Sequence, residues 1–103
     1  MINISFHPSA IIDVNLSQNW YGQESKMAAD KFSLSIMKSI KNLEKFPLSF
    51  PTYFANIRRA VVHGFPYNIY YQLENYKIII LAVAHTHRDP LYLTDTLKLR
   101  NTN

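Results

Sequence analysis

Cysteine is missing from this 103-residue chain, which excludes disulfides and thiolate metal sites and removes any sign of an oxidising compartment. Glycine occurs only twice, tryptophan once, and no repeat, low-complexity tract or domain boundary interrupts the sequence. Long apolar runs are also lacking. The longest, Ile78 to Ala84, is far too short to cross a bilayer. The N-terminal MINISFHPSA has neither a basic start nor an extended apolar stretch, which argues against a signal peptide. These absences lead to the expectation of a small cytoplasmic protein with no membrane segment.

The composition is that of a folding chain: 48% hydrophobic, 17% charged, with seven Tyr and six Phe. Its length suits one domain over residues 1–103 with one core. The net charge of +4 is unevenly spread: residues 1–50 hold five lysines against four acids, and residues 51–103 six Lys/Arg against three. Three of the four histidines also fall in the second half. A polyanion-facing surface is therefore expected there.

Residues 1–6 alternate Ile2, Ile4 and Phe6 with Asn3 and Ser5, the pattern of a short strand. His7-Pro8 stops it, and Pro8 suits the first turn of a helix, where no amide donor is needed. Ala10, Val14, Trp20 and Tyr21 then recur at roughly helical spacing, with Gly22 weakening the far end. A second helix holds Met27, Ala28, Phe32, Ile36, Ile40 and Leu43 on one face and Lys31, Lys38, Lys41 and Lys45 mostly on the other. It must end near Phe46-Pro47, because the residue before a proline avoids helical torsions. Residues 47–55, with two prolines, read as a loop. Residues 57–63, 67–73 and 77–84 read as an antiparallel meander of three strands, with turns at Gly64-Phe65 and Glu74-Asn75. The first strand is expected beside the last, and residues 93–103 form a polar tail of unassigned structure. The order β-α-α-β-β-β predicts an α+β sandwich, a helical hairpin on one face of a small twisted antiparallel sheet.

Five groups of residues carry possible chemistry. Adjacent strand residues point to opposite faces, so Arg58 and Arg59 divide between the two sides of the sheet. Such a pair can bind phosphate or carboxylate through its planar donors, or simply guard an edge against association. His85 and His87 project to one side if the strand continues. They suit acid–base chemistry near neutral pH, or a strand end meeting water; a metal site would need a third ligand of recognisable spacing, and none is placed apart from Asp89. Arg88-Asp89-Pro90 has the composition of a turn, in which Asp89 accepts backbone amides or pairs with Arg88. Tyr92 is either a packing residue or a polar tip. Asn68, Tyr70 and Gln72 share one strand face, polar enough to lie open to a partner.

Taken in order, Trp20-Tyr21, Phe32, Phe46-Pro47, Arg58-Arg59, Phe65-Pro66-Tyr67 with Tyr70-Tyr71, and "LAVAHTHRDP" resemble the RelE/ParE superfamily of type II toxin–antitoxin toxins over residues 4–92. The resemblance implies a growth-arresting toxin neutralised by a cognate antitoxin that wraps its helices and sheet, with no cofactor. Two activities occur in that superfamily. ParE-like members inhibit DNA gyrase; RelE-like members cleave ribosome-bound mRNA without a metal, using cations around the phosphate and a proton donor for the leaving group.

For the nuclease branch the resemblance carries Arg59, His85, Arg88 and Tyr92 over as catalytic candidates. Arg58, Arg59, His87 and Arg88 are the candidates for contact with target or RNA. Two arginines of that branch are replaced here, by Asn68 and by Thr86, although a histidine at the end of this strand serves other nuclease members. The expectation is a gyrase-directed toxin, with the mRNA endoribonuclease as alternative and an inactive antitoxin-binding homologue as a third. It assumes that cationic side chains from separate strands converge on the sheet face the hairpin leaves open.

Overall fold

The computed structural model describes residues 2–101, so the expectations for Met1 and for residues 102 and 103 lie outside it. The chain runs β1 (Asn3–Phe6), α1 (Pro8–Gly22), α2 (Lys26–Lys45), β2 (Thr52–Phe54), β3 (Ile57–Val61), β4 (Tyr67–Glu74), β5 (Lys77–His85) and α3 (Pro90–Arg100). Local chemistry accounts for the helix starts. His7 Nδ1 accepts the Ser9 N–H at 3.1 Å ahead of Pro8, and Ser25 Oγ accepts the Ala28 N–H at 3.0 Å. Helix α2 stops at Lys45, just before Phe46-Pro47, as the proline requires.

The sheet order is β1-β5-β4-β3-β2. Strands β2 to β5 pair antiparallel. The edge strand β1 joins β5 in parallel, with Ile4 beside Ile78 and Phe6 beside Ile80. The sheet is thus mixed rather than wholly antiparallel, because the crossover through the helical hairpin lets the chain return alongside β1 in the same direction. The hairpin covers one face, where Phe32, Ile36 and Leu43 of α2 meet Ala60, Ile69, Tyr71, Ile78 and Ile80. Tyr21 of α1 stacks on Phe32 at 5.2 Å, and Phe65 sits edge-on to both, closing the top of that core with aromatic contacts.

Two expectations are corrected by the second face, and a third by an edge strand. The region read as a polar tail is a helix: Asp89 caps α3 by accepting the Leu91 N–H at 3.0 Å, and Leu93 and Leu97, four apart, are buried. They pack on Ile57, Tyr70, Leu81, Ala82 and Ala84. That helix covers the face expected to be open, so Asn68, Tyr70 and Gln72 are buried rather than available to a partner. Their polar atoms are met internally, Gln72 Nε2 donating to Asn101 Oδ1 at 2.7 Å and to Asn56 Oδ1 at 3.2 Å. The third correction is β2, which follows Pro51 inside the stretch read as a loop. An edge strand tolerates a proline at its start because that residue has no ladder amide to lose.

One irregularity sets the direction of the last strand. Tyr70 faces Ala82 while Tyr71 faces Ile80, so Leu81 is an extra residue in β5. Ile78 and Ile80 face the hairpin before this bulge; Val83 does so after it, with Ala82 and Ala84 turned to α3. The alternation therefore delivers His85 to the hairpin side.

Candidate functional site

The two arginines of β3 separate as the strand geometry requires. Arg58 points to the hairpin side and spends its guanidinium on the preceding loop, donating from Nη1 to the Phe50 carbonyl at 2.6 Å and the Leu48 carbonyl at 3.4 Å. Tyr71, on the same side, donates its hydroxyl to the Pro47 carbonyl at 2.6 Å. Burial pushes the Tyr71 phenol above its ordinary pKa, with the Arg58 charge opposing that shift. Arg58 is a brace for the loop between α2 and β2.

Arg59 lies on the α3 side. Its guanidinium carbon sits 5.1 Å over the Tyr53 ring, and Tyr53 packs edge-on against Tyr70 at 5.2 Å. Burial raises the Tyr70 phenol, while the amide of Asn68 and the cation of Arg59 pull it down. Arg59 keeps a partly exposed cation on an aromatic platform that β2 and β4 build together.

His85 closes β5 on the opposite face. Its ring packs edge-on against Tyr67 at 5.2 Å and tilts against His87 at 5.3 Å. Its Nδ1 accepts the His87 N–H at 3.1 Å, which leaves the outer Nε2 to carry the proton in the neutral ring. Trp20 and Tyr21 at the end of α1, and Glu24 just beyond it, line a hollow with it. The turn that follows is a hydrogen-bonded anchor: Arg88 N–H donates to the His85 carbonyl at 3.0 Å, and the Thr86 N–H to the Pro66 carbonyl at 2.8 Å. Asp89 serves as the helix cap described above, so the motif's carboxylate does structural work.

Arg88 projects from this turn with its guanidinium 5.3 Å over the Tyr92 ring. Both border a cleft of about 300 Å³ between α1 and α3, floored by Ala82 and Val83 and closed at its far end by Asp13 and Arg100. There Asp13 and Arg100 form an ion pair at 2.6 Å. The sequence reading missed both residues, because nothing in a lone Asp of α1 or a lone Arg of the tail marks a pair 87 positions apart.

The structure thus brings His85 next to His87, and Arg88 next to Tyr92, around one turn. It does not add Arg58 or Arg59 to that group: Arg58, on the hairpin side like His85, is bound to the carbonyls of Leu48 and Phe50, and Arg59 lies across the sheet from His85. The expected convergence of cations from separate strands on one open face is corrected accordingly, since α3 occupies the middle of that face. Among the described residues no three His, Cys, Asp or Glu side chains gather as a metal-ligand set. No described helix is long and apolar enough to cross a membrane.

Comparison with known proteins agrees with this architecture. Residues 4–90 match the family model described as the ParE toxin of the type II toxin–antitoxin system parDE. No curated protein sequence matches significantly. Among solved structures, the chromosomal ParDE toxin–antitoxin system from P. aeruginosa superposes with a TM-score of 0.62 at 12% identity, covering 82% of this chain and 96% of that one. At that identity the similarity speaks for the fold.

Proposed function

The chain belongs to the ParE toxin family of type II toxin–antitoxin systems, and from that premise we propose that it arrests growth by inhibiting DNA gyrase rather than by cutting mRNA. A toxin of this family implies a cognate antitoxin as partner. The observation that carries the gyrase reading is the dispersal of the cations. Phosphodiester cleavage without a metal needs positive charge gathered round one phosphate as negative charge builds up, with a proton donor at the leaving oxygen. Here Arg58 is committed to the carbonyls of Leu48 and Phe50, and Arg59 and His85 stand on opposite faces of the sheet. Asn68 and Thr86, where the nuclease branch has arginine, add no charge. Arg88, Tyr92, His85 and His87 then read as a protein-contacting surface around the β5–α3 turn. An exposed arginine stacked on a tyrosine is a favoured anchor in such contacts.

The antitoxin's docking surface is assigned to the outer side of the hairpin. Ile11, Ile12, Leu16 and Trp20 of α1 are each about half exposed or more. A shallow, largely apolar groove lies beside them between α1 and α2, bordered by Phe6, Ile11, Val14, Ile36, Met37 and Ile40. Apolar surface of this extent on a small domain marks a contact site for another chain.

The test is a paired assay on the purified toxin. Gyrase-catalysed supercoiling should fail in its presence and recover when antitoxin is added, while mRNA on ribosomes should stay intact. Cleaved message together with unimpaired supercoiling would overturn the assignment in favour of the endoribonuclease. Expression without growth arrest and without either effect would leave an antitoxin-binding homologue.

A further inference from the structure

One charged surface lies on a different side of α2 from the apolar groove. Lys38, Lys41 and Lys45 of α2 border a groove of about 480 Å³ together with Asn42, His63 and the edge residue Val61 of β3. The three lysines recur at three- and four-residue steps, so helical geometry lines them along one side of α2 over about 10.5 Å. None of them is ion-paired among the described residues. The one carboxylate in that half of the helix, Glu44, is the i+3 neighbour of Lys41 but forms no ion pair with it.

The facing wall adds donors. Strand β2 covers β3 only as far as Arg58, leaving the outer edge beyond it without a strand neighbour. The Val62 N–H donates inward to the Tyr67 carbonyl at 2.9 Å and the Arg59 N–H outward to the Pro51 carbonyl at 3.0 Å. The same alternation turns the Val61 N–H outward, into the groove. An exposed amide and the His63 ring thus border the groove opposite the side of α2 that carries Asn42 and the three lysines.

We propose that this groove holds the phosphate backbone of duplex DNA. Its charge is complementary to a polyanion, and the lysine row runs along the groove as a phosphate backbone would. Lysines act as point charges on phosphate and need no base contact, which gives positioning without sequence preference. A single strand is a poorer fit, because no aromatic side chain lines the groove to stack on a base. The site is independent of the gyrase assignment: it would let the toxin touch DNA on its own.

The experiment is fluorescence anisotropy of the purified full chain with a labelled 20-base-pair DNA duplex, from 50 to 200 mM salt, with no gyrase present. Binding should be sequence-independent and weaken steeply with salt. The triple variant K38Q/K41Q/K45Q should lower the slope of log affinity against log salt by about three, one for each phosphate that is no longer neutralised. A charge-matched control, K26Q/K77Q/K98Q, should keep most of the parental slope. All six lysines are solvent-facing, and circular dichroism with melting curves checks that both variants fold. Absence of salt-dependent binding by the parent, or equal losses in the two triple variants, would overturn the proposal. Tighter binding to an RNA duplex or to single-stranded DNA would overturn the choice of ligand. Failure of gyrase inhibition would leave the result of this titration unaffected.

Discussion

Arg100 reaches across the second half of β5 to Asp13 at 2.6 Å, and together the two side chains close a stretch of backbone that no strand covers. Asp13 Oδ2 accepts the Val83 N–H at 3.0 Å, while Arg100 Nη1 donates to the Leu81 carbonyl at the same distance. Strand β1 pairs with β5 only as far as Ile80, so the pair stands where a further strand would dock. Both groups are about one-fifth exposed, which tempers the energy. Arg100→Ala should lower unfolding free energy by about 1–2 kcal/mol. A double-mutant cycle with Asp13→Asn should show coupling above about 0.5 kcal/mol. Urea denaturation measures both, and additive single effects would refute the shared role.

Helix α3 should be integral to stability rather than an appendage. Leu97 is fully buried against the second sheet face, with Leu93 one turn before it. Leu97→Ala should cost about 2–5 kcal/mol through reduced burial and the cavity left behind. Leu99→Ala, at an exposed position on the same helix, should stay within about 0.5 kcal/mol of the parent. Similar melting temperatures for the two variants would contradict the packing described.

The sequence made the hairpin and strands β3, β4 and β5 legible because their signals are local: a helical apolar stripe ended by Phe46-Pro47, and β-rich runs separated by turn residues. It gave no sign of the cover on the second sheet face, which was expected to lie open and is closed by α3. Leu93 and Leu97 did give a four-residue spacing, yet they are embedded among Thr94, Asp95, Thr96 and Lys98, and their burial depends on a sheet face formed by strands distant in sequence. The bulge at Leu81 was invisible for the same reason, since it exists only in the pairing of β5 with β4. That one residue decides which face His85 occupies, so the site could not be assembled by alternation alone. Asp89 was legible as a turn carboxylate because capping depends on its immediate neighbours.

Ala55 links β2 to β3 at φ 52°, a left-handed conformation that disfavours a Cβ. The relief given by glycine there exceeds its entropic penalty only modestly. Ala55→Gly should raise stability by up to about 1 kcal/mol, read as a higher urea midpoint with an unchanged slope. A lower midpoint would show that the turn bears no strain.

Alkaline pH should weaken the fold. Burial raises the pKa of Tyr70 and Tyr71 from 10.0, so the folded chain holds those protons where the unfolded chain has begun to release them. The unfolded state then binds fewer protons, and stability falls as pH rises from about 10 through the folded values. Their contribution is complete below about pH 10. Urea midpoints at pH 8, 10 and 11 should decline over the last interval, and Tyr70→Phe should flatten part of that decline. An unchanged slope in this variant would show that Tyr70 is not the group responsible.

Arg58 and Arg59 are neighbours in sequence on opposite faces of the sheet, and their alanine variants should differ in stability. Arg58→Ala removes the donor to the Phe50 and Leu48 carbonyls and should cost about 1–2 kcal/mol. Lysine at 58 should recover only part of that, since a single ammonium lacks the planar fork. Arg59→Ala forfeits one cation–π interaction over Tyr53, on the order of 0.5–1 kcal/mol. Because Arg59 lies across the sheet from the surface assigned to the target, its alanine variant should fold, bind antitoxin and still arrest growth in cells induced without antitoxin. The Arg58 variant should show reduced soluble yield and a lower melting temperature, and keep whatever toxicity its folded fraction allows. The reverse pattern, with Arg58→Ala stable and Arg59→Ala unstable, would mean that the faces assigned to the two guanidinium groups are exchanged.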